Sequence, residues 1–431
     1  MRLGLLACAA LVLVACSPGD PGAGGAPTPS VAPTQSPTAD STRTEAAVPE
    51  PEQTPQPSEV EQARLDERLR AAAWAGDVLR ARRLVERGAD VNAKDETQQS
   101  AYLIATSEGH LELLELTLRH GAAVDDKDSF NGTGLIRAAE RGHADVVGRL
   151  LRAGIDKDHV NNLGWTALHE AVHLGDGTER YLDTVRVLVA GGVDVDIESP
   201  RDGATPLAYA RARGFDDLAR LIEVASAQDG RPLDRSTAER RLLDAARSGD
   251  GDAAALALRA GARLETRDAD RRTPLLLAAT HDRVAVARLL VALGADPDAL
   301  DAIHDTPWLV TGVTGSVAML EALLPARPDL TIRNRFGGVS VIPASERGHV
   351  DYVRRVVRTG IDVNHVNDLG WTALLEAVIL GDGSVSYQKI VRILLDAGAD
   401  ASIADGDGVT ALEHAQTSDQ TEVARILRRA Q

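Results

Sequence analysis

Cysteine is nearly absent: the 431 residues hold two, Cys8 and Cys16, both within the first 16 positions. The remainder of the chain can neither close a disulfide nor build a thiolate metal site. Aromatic residues make up 3%, so aliphatic side chains must supply the core. Lysine occurs at 94, 127, 157 and 389 alone, which leaves arginine as the working cation. Beyond Leu3–Val14 no segment reaches the roughly 18 apolar residues of a transmembrane helix. There is no phosphate-cradling G-x-x-x-x-G-K-[ST] loop and no G-x-S-x-G nucleophile elbow. Positive charge is also in deficit, with 47 Lys and Arg against 64 Asp and Glu and a formal net charge of −17. The mean field of such a chain repels a phosphate backbone, which excludes nucleic acid as a partner.

Repetition is what the sequence has in abundance. Residues 154–177, GIDKDHVNNLGWTALHEAVHLGDG, recur as GIDVNHVNDLGWTALLEAVILGDG at 360–383, identical at 19 of 24 positions and 206 residues apart. The same offset aligns Phe130 with Phe336 and Tyr181 with Tyr387. Within each copy a shorter period of 33 places Ser100, Thr133 and Thr166 in one slot, and Thr273, Thr306, Val339 and Thr372 in the other, with Thr205 and Thr410 after a longer step. Around the slot the text keeps its shape: a Gly shortly before it, T-x-L-x-x-A, an apolar run, then G-x-D. In Asp145–Arg152 the apolar set is Val146, Val147, Leu150 and Leu151, a stripe at helical spacing. Helices this short are marginal alone in water, so each needs its neighbours. Gly154, Gly192, Gly261, Gly294, Gly360 and Gly398 follow the second apolar run, where a left-handed C-cap ends a helix.

This pattern resembles the ankyrin repeat, a β-turn followed by two antiparallel helices with the fingerprint T-P-L-H-x-A at a period of 33. The resemblance covers residues 62–430 and implies an all-α solenoid in which each repeat touches only the next. It also implies a binding scaffold, and the partner it implies is another protein. The expected organisation is a signal segment at 1–16, a Pro/Ser/Thr-rich tether at 17–60, one array at 61–226 and a duplicate array at 236–431. The first array opens with the amphipathic segment Glu61–Ala75, and the second with Ser236-Thr237-Ala238-Glu239, which has capping-box spacing. Whether the arrays stack or hinge near Gly230 is left open by the sequence.

Met1-Arg2 and the apolar Leu3–Val14 have the form of a signal segment. Leu13-Val14-Ala15-Cys16 resembles the lipobox of bacterial lipoproteins, in which Cys16 would carry the lipid and become the first residue. That resemblance implies a cell-membrane protein, lipid-anchored on the extracytoplasmic side. A 44-residue tether would hold the fold roughly 35 Å away as a random coil and up to about 130 Å away in polyproline form.

Two features bear on chemistry. The repeat at Thr166 and its copy at Thr372 each carry five extra residues, expected between the two helices (GDGTERY and GDGSVSY, with Tyr181 and Tyr387), and insertions in repeat proteins map to loops that often bind. His169-Glu170-Ala171-Val172-His173 spells H-E-x-x-H, a zinc-hydrolase motif. The second copy reads Leu375-Glu376-Ala377-Val378-Ile379, without either imidazole, and no third ligand follows. His169 stands at the H of the ankyrin fingerprint, where it is expected to bond the adjoining turn. No metal, no cofactor and no catalysis are therefore expected. Asp405-Gly406-Asp407-Gly408 reads as the β-turn of the last repeat and not as a calcium loop. Phe130, Trp165, Phe336 and Trp371 fall on turn tips, and with Tyr181 and Tyr387 they are the candidate partner contacts, since buried aromatics dominate interface energy. The expected function is a scaffold accessory to another envelope protein; the alternative is an immunity-type inhibitor that occludes a toxin or enzyme in the concave groove.

Overall fold

Eight of the recurring polar residues cap helices in the computed structural model. The side chains of Ser100, Thr133, Thr166, Thr205, Thr273, Thr306, Thr372 and Thr410 each accept a hydrogen bond from the backbone N–H three residues on. That bond satisfies one of the unpaired donors of the first turn and sets where each first helix starts. Val339 cannot do this. Its repeat starts from Ser340, whose backbone is already helical and whose side chain makes no cap.

The structure describes residues 58–229 and 233–430. The signal segment, Cys16, all but the last three residues of the expected tether, and the break at Gly230 lie outside these residues. Helix α1 begins at Glu59, two residues before the expected array boundary, with Ser58 as its cap. The first array pairs α1 (Glu59–Trp74) with α2 (Val78–Glu86), α3 (Ala101–Ser107) with α4 (Leu111–Arg119), and α5 (Gly134–Glu140) with α6 (Ala144–Arg152). It continues with α7 (Ala167–His173) and α8 (Glu179–Ala190), then α9 (Pro206–Ala212) and α10 (Asp216–Asp229). The second array pairs α11 (Arg235–Ser248) with α12 (Gly251–Arg259), α13 (Pro274–Thr280) with α14 (Val284–Ala292), and α15 (Pro307–Thr314) with α16 (Val317–Leu323). It ends with α17 (Val341–Glu346) and α18 (Val350–Val356), α19 (Ala373–Ile379) and α20 (Val385–Asp396), and α21 (Ala411–Thr417) and α22 (Thr421–Ala430). Ala, Leu and Val from all these pairs merge into one buried cluster, as a stacked solenoid requires. No strand is present among the described residues; two isolated bridges, Lys127 with Thr133 and Ala404 with Thr410, mark the turns.

Two expectations change. The cap of α11 is Asp234, which accepts from Thr237 N at 3.0 Å, so the helix starts before the Ser236–Glu239 box. Glu239 instead pairs with Arg263 of the next turn. The five extra residues of the inserted repeat are not all loop. Between α5 and α6 lie three residues (141–143), and between α7 and α8 five (174–178), while α8 has 12 residues against 9 in α6. Two of the five therefore lengthen the loop and three lengthen the second helix; α19 and α20 divide theirs in the same way.

The arrays do not stack end to end. Helix α12 packs on α8, and α14 packs on α6 and α8. Arg327, just past α16, pairs with Glu115 of α4 at 2.7 Å. The second array thus runs back along the first, and the two meet through their second helices. At the closest approach Gly148 of α6 faces Ala292 of α14, where an added Cβ would lie 2.6 Å from Ala292 C and 3.0 Å from its Cβ. Arg186 of α8, only 8% exposed, bonds Asp252 of α12 at 2.7 Å, with Asp183 at 3.0 Å and Glu179 at 2.6 Å on its own helix. Arg259 of α12 donates to the carbonyls of Val193 at 2.8 Å and Val189 at 3.2 Å. The contact is made by the second helices α6, α8, α12 and α14.

Candidate protein-interaction surface

The turn tips are built by an Asx or carboxylate side chain at the start of each turn. Asp128 Oδ1 accepts from Phe130 N and Gly132 N, both at 2.8 Å, and Asn334 Oδ1 accepts from Phe336 N and Gly338 N, both at 2.9 Å. This short cycle folds the turn and throws the residue two places on to its apex. Adjacent turns are then bonded together. Asn162 N donates to Phe130 O and Asp368 N to Phe336 O, each at 3.0 Å. His159 Nε2 reaches Asn131 O at 2.8 Å, and His365 Nε2 reaches Gly337 O at 2.7 Å. The tip is held by its neighbours before any partner arrives.

On this frame the six candidate aromatics separate. Phe130 and Phe336 are 58% and 55% exposed, among the most exposed large apolar side chains, and Arg335 lies over the Phe336 ring at 4.7 Å. In the second array Ile303, Val366 and Leu369 on the flanking turns are exposed too. Trp165 is a correction: it is 8% exposed and packed against the next repeat. Its ring sits 4.3 Å from that of His173 and edge-on to Tyr209, and its Nε1 reaches the Tyr209 hydroxyl at 3.3 Å. Trp371 is half-buried, packed on the core. Tyr181 and Tyr387 are not displayed by the insertion either. Each hydroxyl donates to a carbonyl of the preceding repeat, Glu140 O at 3.1 Å and Glu346 O at 2.8 Å. Their rings close over Gly175 and Gly381, where an added Cβ would meet Tyr181 Cδ1 at 2.7 Å or Tyr387 Cδ1 at 2.6 Å. Structural need of this kind accounts for the likeness of the two insertions.

The H-E-x-x-H segment is absorbed by the repeat itself. His169 Nδ1 lies 2.9 Å from Thr166 Oγ1 and completes a capping box, and its Nε2 reaches Ala204 O of the adjoining turn at 3.3 Å, as expected. With both nitrogens engaged and the ring fully buried, His169 has no lone pair to offer a metal. Burial lowers its pKa and that of His173, keeping both neutral. Among the described residues no three His, Cys, Asp or Glu are placed to hold a metal ion.

The glutamate of that segment belongs to a pair that sequence reading missed. Glu170 accepts from Asn161 Nδ2 at 2.8 Å, and Glu376 from Asn367 Nδ2 at 2.8 Å. The two glutamates are 3% and 6% exposed, and burial pushes each carboxyl up to about 7. Asn161 Oδ1 meanwhile caps Leu163 N and Trp165 N, so one asparagine ties the turn to the helix beneath it. The signal was present: Asn and Glu nine residues apart, kept in both copies while both histidines changed.

The fold and its turn-tip surface define a repeat solenoid built for binding. The model for ankyrin repeats in sets of three matches residues 69–161, 135–229, 308–405 and 341–431, and the single-repeat model matches 270–302. The chain therefore belongs to the ankyrin-repeat family, whose arrays are protein-interaction scaffolds and in general not enzymes. YahD, an ankyrin repeat protein of Escherichia coli (strain K12), is 38% identical over 186 residues, covering 43% of this chain and 92% of YahD. Ankyrin repeat and SOCS box protein 16 of Homo sapiens is 28% identical over 218 residues, 48% of this chain and 46% of that protein, so the chain spans under half its length. Among solved structures, an ankyrin repeat domain from Acinetobacter baumannii AYE is 43% identical over 44% of this chain and 96% of that domain, with a TM-score of 0.43.

Proposed function

We propose that the chain is a lipid-anchored extracytoplasmic scaffold that binds another envelope protein through its turn tips and acts as an accessory to it. The observation that carries the binding surface is the pair Phe130 and Phe336, apolar, exposed and bonded in place at equivalent tips. Around Phe336 the exposed Ile303, Val366 and Leu369 of the flanking turns extend the tip into an apolar patch, and such patches mark interaction sites. The anchor rests on Leu13-Val14-Ala15-Cys16, and the tether that follows gives the fold reach from a membrane.

Replacing Cys16 with Ala should release the protein from the membrane fraction and abolish labelling by a fatty-acid analogue. A wild-type chain that is already soluble and unlabelled would refute the anchor. For the surface, capture of envelope proteins by Phe130→Ala and Phe336→Ala is compared with wild type. Each substitution should weaken capture by about 1–3 kcal/mol, as loss of an aromatic anchor does, with no change in thermal unfolding. Unchanged capture with both tips removed would refute the turn-tip reading.

A further inference from the structure

The duplication allows each face of one array to be compared with its copy. Helices α6, α8 and α10 carry five Arg and seven Asp or Glu, a balance of −2. Their counterparts, α18 with its following turn to Thr359, α20 and α22, carry eight Arg or Lys and three Asp or Glu, a balance of +5. The chain as a whole stands at −17. Two of the positions that changed are ones where the arrays meet. Gly148, pressed on Ala292, corresponds to Arg354, and Asp183, within 3.6 Å of Arg288 of the second array, corresponds to Lys389. Arg186, neutralised by three carboxylates, corresponds to Arg392, which among the described residues pairs with Glu422 alone, at 3.5 Å.

The outward cations of this face, Arg354, Arg358, Lys389, Arg392, Arg428 and Arg429, are all exposed. Arg358, Lys389, Arg428 and Arg429 form no ion pair among the described residues. They come from three helices packed side by side, α18 on α20 and α20 on α22. The charge is therefore spread over a broad helical face, with Arg392 and Arg429 also lining a groove between α20 and α22. A broad basic face on an otherwise acidic body fits a layer of negative charge, and would orient the body against it.

We propose that the outer face of α18, α20 and α22 docks on anionic phospholipid headgroups, laying the second array on the membrane to which the tether leads. The choice of a lipid layer rests on the anchored reading above. Juxtamembrane cations at such a surface each raise the affinity about fivefold, and salt weakens the attraction.

The test uses the full chain carrying Cys16→Ala, floated with vesicles of phosphatidylcholine alone or mixed with phosphatidylglycerol. Binding is expected only with phosphatidylglycerol and should fall as salt is raised. Arg358→Gln, Lys389→Gln and Arg428→Gln together should lower the affinity about a hundredfold. Arg201→Gln, Arg220→Gln and Arg240→Gln, which remove the same charge elsewhere, should leave it unchanged. If the first triple variant melts early, Lys389→Gln alone is read for its fivefold loss. Equal binding to both vesicle types, equal loss in both triple variants, or a preference for polyglutamate over phosphatidylglycerol would each overturn the proposal. Fatty-acid labelling of the wild-type chain is scored separately. A labelled Cys16 with no phosphatidylglycerol binding brings down this inference alone, and an unlabelled Cys16 brings down the anchor.

Discussion

Gly148 offers the sharpest test of how the arrays meet, because the sign of the effect decides it. On an exposed helix face, Gly→Ala in the middle of α6 would stabilise by about 1 kcal/mol through helix propensity. In the folded-back arrangement the new methyl meets the backbone of Ala292, 2.6 Å from its carbonyl carbon. Forcing a methyl into a packed interface costs about 1–3 kcal/mol, which cancels or outweighs the gain. Gly148→Ala should therefore be neutral to about 2 kcal/mol destabilised in urea unfolding. Gly148→Arg, which installs the residue found at the matching exposed position Arg354, should prise α6 from α14 and raise the radius of gyration measured by small-angle scattering. The reciprocal change, Arg354→Gly, should cost only the propensity term and leave the radius alone. A stabilised Gly148→Ala together with an unchanged radius for Gly148→Arg would refute the back-to-back contact.

Arg186→Leu leaves the buried Asp183 carboxylate beside Asp252 with Arg288, at 3.6 Å, as its remaining cation, and should cost about 3–5 kcal/mol, whereas exposed Arg392→Leu should cost under about 1 kcal/mol; paired urea titrations measure both. Glu170 and Glu376 titrate near 7 in the fold against an ordinary value of 4.5, because burial disfavours the carboxylate. The folded state therefore holds protons that the unfolded chain has released, and their stabilisation is complete below about pH 4.5 and lost as pH rises through 7. The loss is about 3 kcal/mol per site, and Glu170→Gln with Glu376→Gln should flatten the melting temperature across that window; an unaltered pH profile would contradict it. Tyr181→Phe and Tyr387→Phe should each cost about 1 kcal/mol of stability through the lost carbonyl bond and leave partner capture untouched. His169→Leu should cost a similar amount, by releasing Ala204 O, without changing the metal content measured on the purified chain.

What the sequence determined by itself was everything that repeats. A period of 33 with Thr at the slot is a statement about local hydrogen bonding, and eight of those residues cap helices as that chemistry demands. The exposed tips Phe130 and Phe336 were legible for the same reason, since an Asx turn sets its apex from residues close in sequence. Ser236 misled because a cap depends on which nearby oxygen reaches the N–H first, and Asp234 does; at Val339 the slot holds no oxygen, so that helix starts uncapped from Ser340. Trp165 looked like a tip residue because its cover, His173 and Tyr209, comes from the helix below and from the next repeat. The meeting of the two arrays was beyond the sequence altogether. Periodicity specifies how a repeat packs on the next one, but α6 and α14 are separated by more than a hundred residues and share no repeat relation. Their contact depends on a single missing side chain at Gly148 and on the partners of Arg186, and only the folded chain brings those atoms together.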